Sequence, residues 1–191
     1  MICELTGLDI SNASLLDEAT SCAEAVALAF AASNFKRPKF YVSDTMFPQI
    51  IDVIKTRCHG NGVELVVGPI ADFPWSESKD YCGLIAQNPD NFGNLSNFTE
   101  LFTKLHEHGV KAVLNSDILS LTIVKSPGEM GADIAVGGVQ RFGLPMGFGG
   151  PHPGYFAVKD DLKRKMPGRI IGISKDADGN TALRMSLQVR E

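Results

Sequence analysis

Five short runs of this chain are mostly apolar and do not alternate strictly with polar residues: KFYVS (39–43), VELVVG (63–68), CGLIAQ (82–87), KAVLN (111–115) and DIAV (133–136). A strand with one solvated face alternates apolar and polar residues, so runs that do not alternate need cover on both faces of a sheet. The segments between them carry helical signals. Helices are expected near 17–32, 45–57 and 98–108, with Asp17 and Glu18 at the positive end of the first, Asp44 or Thr45 capping the second and Gly109 closing the third. Strand–helix alternation of this kind builds parallel sheets. The expected fold is therefore α/β, a three-layer α/β/α large domain with a mainly parallel sheet of about seven strands, including YFAV at 155–158. Residues 1–191 are read as a single-domain fragment of a longer protein. Near the C-terminus, Asp176–Asn180 reads as a turn in a loop or hairpin, ahead of a helix start over 183–191.

Composition narrows the function classes. Hydrophobic content of 44% and charged content of 21% are ordinary for a globular domain. A net charge of −4 provides no basic footprint for nucleic acid. The run Ala25–Ala32 is too short to span a bilayer, and Glu4 and Asp9 stand where a signal peptide would be charged and then apolar. Cys3, Cys22, Cys58 and Cys82 are scattered, without metal-ligand spacing, and read as structural thiols in a reducing compartment. His106 and His108, two apart on a helix, point in different directions, and His59 stands at a helix end. No GxSxG nucleophile motif is present. GFGGPH (147–152) has two glycines of a dinucleotide fingerprint but precedes a strand, where the fingerprint opens a helix.

The stretch 128–168 carries the chemistry. It reads as a strand (133–136), a polar turn (Gln140-Arg141), a Gly-rich loop (143–154) and a strand (155–158). In pyridoxal-phosphate (PLP) enzymes of the aminotransferase fold, fold type I, that order places the Schiff-base lysine in the polar turn. Here Arg141 occupies it, and a guanidinium stays protonated and cannot form an aldimine. Asn115 stands near the place of the acid that protonates the pyridine nitrogen, with Asp117 a less well aligned substitute. The helix N-terminus that would hold the phosphate offers Asp17 and Glu18, two carboxylates that repel it. Lys125 and Lys159 fall outside the turn. The expected site (Asn115, Asp117, Gln140, Arg141) is a degenerate one, with no catalytic residue, no cofactor and no metal of its own.

GEMGADIAVG, QRFGLPMGFGGPH, LKRKMPGRIIGISKDADG, the opening ICELTGLDISNASLLDEATSCAEA and the closing ALRMSLQVRE together resemble the N-terminal half of the P-proteins of the glycine cleavage system, the glycine dehydrogenases (decarboxylating). The resemblance implies an enzyme of two similar halves. The C-terminal half, or a partner subunit, carries the lysine and PLP; the N-terminal half shapes the active-site interface. It also implies decarboxylation of glycine, transfer of the aminomethyl group to the lipoyl group of H-protein, and a location in the cytoplasm of bacteria or the mitochondrial matrix of eukaryotes. Asn12, Ser14, Asp17, Glu18, Gln140-Arg141 and the 143–154 loop with Gly149 and His152 are the expected interface residues. Two alternatives stand beside this: a non-catalytic scaffold domain that stabilises a PLP-bearing partner, and an active enzyme using an unorthodox lysine.

Overall fold

A computed structural model describes residues 1–186. In chain order the elements are α1 (Ile2–Thr6), β1 (Ile10–Ser11), α2 (Glu18–Ala32), β2 (Lys39–Ser43), α3 (Pro48–Asn61), β3 (Glu64–Gly68), β4 (Tyr81–Asn88), α4 (Thr99–Glu107), β5 (Lys111–Ser116), α5 (Pro127–Met130), β6 (Ile134–Gly138), β7 (Gly154–Val158), β8 (Ile170–Lys175) and β9 (Thr181–Ser186). Seven strands form one sheet in the order β1-β7-β6-β5-β4-β2-β3. Every pairing from β3 across to β6 is parallel, and β7 and β1 close the far edge through antiparallel pairs. The expected mainly parallel α/β domain is the observed one.

The mostly apolar runs are explained by cores on both faces. Phe40, Val42, Ile85, Val113, Ile134, Val136, Phe156 and Val158 point to the side covered by α2 and α3. Their neighbours divide between two clusters: Tyr41, Leu84, Ala112 and Leu114 pack with Phe102 and Leu105 of α4, while Ala135, Tyr155 and Ala157 pack with Leu8 and Ile118. All eight residues of β4 are buried. Glycine is required where β7 meets α2, since a Cβ on Gly154 would strike the Asp17 carbonyl and Ser21 Oγ.

Three local expectations need correction. The second helix starts at Pro48, with Phe47 at the N-cap position, and not at Asp44 or Thr45. Proline is suited to the first helical turn, where its missing N–H costs nothing. The two-residue strand β1 was not anticipated; it adds to β7 through Ile10 and Ser11. The third correction concerns the C-terminus, where Thr181–Ser186 is a strand, paired antiparallel with β8. Leu, Arg and Met are good helix formers in isolation, but the turn decides here. Asp176 Oδ1 accepts from the Asp178 and Asn180 amides at 3.0 and 2.8 Å, and Gly179 takes φ 85°, which folds the chain back into a hairpin. The rest of the expected helix, 187–191, lies outside the described residues.

The two ends of the parallel strands differ in chemistry. At the amino end, Asp133 sits just before β6 with its side chain only 4% exposed. It accepts from the Ala112 amide at 2.9 Å and pairs with His106 (2.9 Å), Lys159 (3.2 Å) and Lys111 (3.4 Å). Burial alone would raise its pKa; Lys111, the Ala112 N–H, His106 and Lys159 outweigh burial and hold the carboxyl below its usual value. The carboxyl ends of β4, β5 and β6 carry the candidate site.

Candidate functional site

Parallel strands end in step, so the last residues of β4 and β5 lie side by side: Gln87 is opposite Asn115, and Asn88 opposite Ser116. The crevice beyond such strand ends is where open α/β sheets place ligands. Here it is a cleft of about 840 Å³ between the first turn of α2, the start of α3, the loop after β4 and the Gly-rich loop after β6.

Its floor is a chain of polar contacts. Asn115, fully buried, donates through Nδ2 to Glu18 Oε1 at 2.8 Å and to Gln87 Oε1 at 3.2 Å. Gln87 Oε1 also accepts from the Phe47 amide at 3.1 Å, and its Nε2 donates to the Pro89 carbonyl at 3.0 Å. The Glu18 carboxyl is raised above its usual pKa, burial being the largest cause and partly offset by the Asn115 hydrogen bond. On the wall, Arg141 lies in the 3₁₀ turn Gln140–Phe142, and its Nε meets Asp117 Oδ2 at 2.7 Å. Asp117 is also fixed by accepting from the Leu119 amide at 2.9 Å. His152, Gly149 and Met146 of the Gly-rich loop complete the opposite wall.

The sequence-derived candidates divide accordingly. Glu18, Asp117, Gln140, Arg141, Gly149 and His152 line the cleft, and Asn115 lies directly under it. Asn12 is elsewhere, buried with Nδ2 donating to the Pro167 carbonyl at 3.1 Å. Ser14 is exposed near Gly168 and does not line the cleft. The expected pair of phosphate-repelling carboxylates also separates. Asp17 is the N-cap of α2, accepting from the Thr20 amide at 2.7 Å, and only Glu18 turns into the cleft. Gln87 and Phe47 were missed, although a glutamine ending a wholly apolar strand is a legible signal of a polar group placed at a strand end.

The residues present do not fit PLP. Among the described residues no lysine lines the cleft; Lys159 is bound to Asp133 and Lys125 to Thr99 Oγ1. The turn that would offer the amine offers Arg141, already engaged by Asp117. Beneath, a neutral amide stands where a charged acid would be needed. The N-terminus of α2 is closed by its own cap and by β7, since Gly154 exchanges backbone hydrogen bonds with Leu15 at 2.9 and 3.1 Å.

Comparison with known proteins gives the family. The family model described as glycine cleavage system P-protein matches residues 1–191. A glycine dehydrogenase (decarboxylating) of Shewanella sp. (strain W3-18-1) is 52% identical over 189 residues, 98% of this chain and 19% of that protein. One of Rhizobium johnstonii is 52% identical over 192 residues, 100% of this chain and 20% of the relative. The chain thus spans about a fifth of the length of the curated relatives it matches. Among solved structures, an inhibitor-bound glycine decarboxylase (P-protein) of the glycine cleavage system superposes with TM-score 0.89 at 37% identity, covering 98% of this chain and 43% of that one. A methionine gamma lyase from Micromonospora echinospora matches with TM-score 0.65 at 15% identity over 85% of this chain and 43% of its own, a likeness of fold alone, that of the fold type I enzymes. The chain belongs to the P-protein family of the glycine cleavage system.

Proposed function

We propose that residues 1–191 form a cofactor-free wall of a glycine decarboxylase, while the lysine and PLP reside on another part of the same protein or on a partner subunit. The observation that carries this is the Arg141–Asp117 pair in the turn where a fold type I enzyme keeps its lysine. The names of the relatives support glycine decarboxylation by the whole protein; on our reading PLP would serve there as electron sink, and the aminomethyl group would pass to the lipoyl group of H-protein. In that scheme this chain contributes surface, not the nucleophile. Large apolar side chains cluster on the loops at the carboxyl ends of the strands: Phe92, Phe142, Met146 and Phe148 are all at least half exposed. Such a rim favours an interface with the cofactor-bearing half, with Gly149 and His152 in the loop that presents it. The protein would work in the cytoplasm of a bacterium or the mitochondrial matrix of a eukaryote, wherever the glycine cleavage system operates.

The test is spectroscopic. Mixed with PLP, the chain should develop no internal-aldimine absorbance, and borohydride should fix no pyridoxyl group on any of its lysines. Glycine–bicarbonate exchange by the chain should equal the protein-free control. A stoichiometric pyridoxyl-lysine, or exchange above the control, would overturn the assignment in favour of an active enzyme using an unorthodox lysine.

A further inference from the structure

The β8–β9 ribbon stands outside the main sheet and has two unlike faces. Along β8, burial alternates strictly, and the exposed positions are Ile171, Ile173 and Lys175. Antiparallel register places Met185 opposite Ile171 and Leu183 opposite Ile173. Cross-strand partners share a face, so four aliphatic side chains form one block. Their exposures are 45% for Ile171, 80% for Ile173, 71% for Leu183 and 56% for Met185. The ribbon's link to the domain uses other atoms: Ile170 packs on the main core, and the segment leading into β8 is held by hydrogen bonds from Asn12 Nδ2 to the Pro167 carbonyl and from the Ala13 amide to the Arg169 carbonyl. None of the four apolar residues lines the cleft.

A two-stranded ribbon is marginal in water unless one face is packed, and this one turns its apolar face away from its own domain. We propose that this face is a docking surface for polypeptide of the same protein lying outside residues 1–191. The sizes of the relatives supply the occupant. The solved P-protein superposes on 98% of this chain while 57% of its own length lies outside the match, and the curated relatives extend to about five times these residues. Polypeptide joined to this domain in one chain meets the ribbon at an effective concentration in roughly the millimolar range, whereas a second copy must be recruited from solution. The block is also wholly aliphatic, with Lys175 the next exposed residue along the same face, which suits an apolar helix or strand face. The inference does not depend on which part of the protein holds the cofactor.

Hydroxyl-radical footprinting of the full-length protein containing this segment tests it. Methionine oxidation follows solvent access, so an uncovered Met185 should oxidise in the native protein within about two-fold of its rate in urea, and a covered one about ten-fold more slowly. We expect the slow result for Met185, with Leu183 and Ile173 following it, and no change on hundred-fold dilution. Protection that disappears on dilution would assign the face to a second copy and overturn the proposal. Oxidation as fast as in urea would overturn it by showing that the face is bare. The paired substitution Ile173→Asp with Leu183→Asp should lower the melting temperature of the full-length protein and restore fast Met185 oxidation, while Lys175→Asp on the same ribbon should do neither. If the double variant fails to fold, the wild-type footprint still decides.

Discussion

Removing the Asp133 carboxylate should be among the most damaging single changes in this chain, and the loss should depend on pH in a defined direction. The side chain is 4% exposed and satisfies the Ala112 amide, His106, Lys111 and Lys159 together. In Asp133→Ala the Ala112 N–H between β5 and β6 is left without a partner, which costs about 1–3 kcal/mol, and hydrogen bonds to charged groups worth about 1.5–3 kcal/mol are lost. Lys111, Lys159 and His106 are 28–36% exposed and regain some water, which places the total near the lower end of the roughly 3–5 kcal/mol typical of a broken buried pair. At about 2–4 °C per kcal/mol for a chain of this size, the melting temperature should fall by on the order of 10 °C. Asp133→Asn preserves an acceptor for Ala112 and should lose about half as much. The folded pKa of Asp133 is depressed, so its charge stabilises the fold fully at pH values above the ordinary carboxylate pKa of 3.8. That contribution is lost as pH falls below 3.8 and through the folded value. Thermal melts by circular dichroism at pH 5 and 3 check this: the gap between wild type and Asp133→Asn should be narrower at pH 3 than at pH 5. A fall under about 2 °C at pH 7 for Asp133→Ala, or a gap that widens in acid, would refute the account.

Two further substitutions probe the cleft and its support. Gly154→Ala should destabilise the chain by about 1–3 kcal/mol, because its Cβ must displace the first turn of α2; a denaturant midpoint equal to wild type would contradict that close approach. Glu18→Gln should stabilise at neutral pH, since the folded pKa of Glu18 is raised by burial and ionisation is therefore costly above it. Its melting temperature should exceed wild type at pH 7 and converge with it below pH 4.5, the ordinary glutamate value; an advantage that persists at pH 3 would show that the gain is not electrostatic.

Much of the architecture was legible because burial on both faces leaves so plain a mark. The runs 39–43 and 111–115 begin and end within a residue of β2 and β5, and the helix expected at 98–108 is Thr99–Glu107. The segments misread are those where local and tertiary signals conflict. Leu183 and Met185 are helix formers held in a strand by the Asp176 turn, and Asn12, expected at the interface, instead donates to the carbonyl of Pro167, 155 residues away. In the site, the chemically odd residues were visible by type: an arginine in a lysine's turn, an amide at an acid's place. Their partners were not, because the Arg141–Asp117 and Asn115–Glu18 contacts join elements far apart in sequence, and spacing alone carries no information about them.

The amide chain under the cleft also limits how this domain can change over generations. Asn115 serves two acceptors at once, Glu18 Oε1 and Gln87 Oε1. An aspartate at 115 would set a second carboxylate at contact distance from Glu18 and leave Gln87 Oε1 facing another acceptor, and Arg141, held by Asp117, is not free to relieve the repulsion. Arg141→Lys alone would leave an amine tied to Asp117 above an uncharged floor. Recovering a cofactor site therefore demands replacement at 115 and 141 coordinated with their partners Glu18, Gln87 and Asp117, since neither Asn115→Asp nor Arg141→Lys alone supplies one. The floor works as a ratchet, holding this domain to the set of contacts it has.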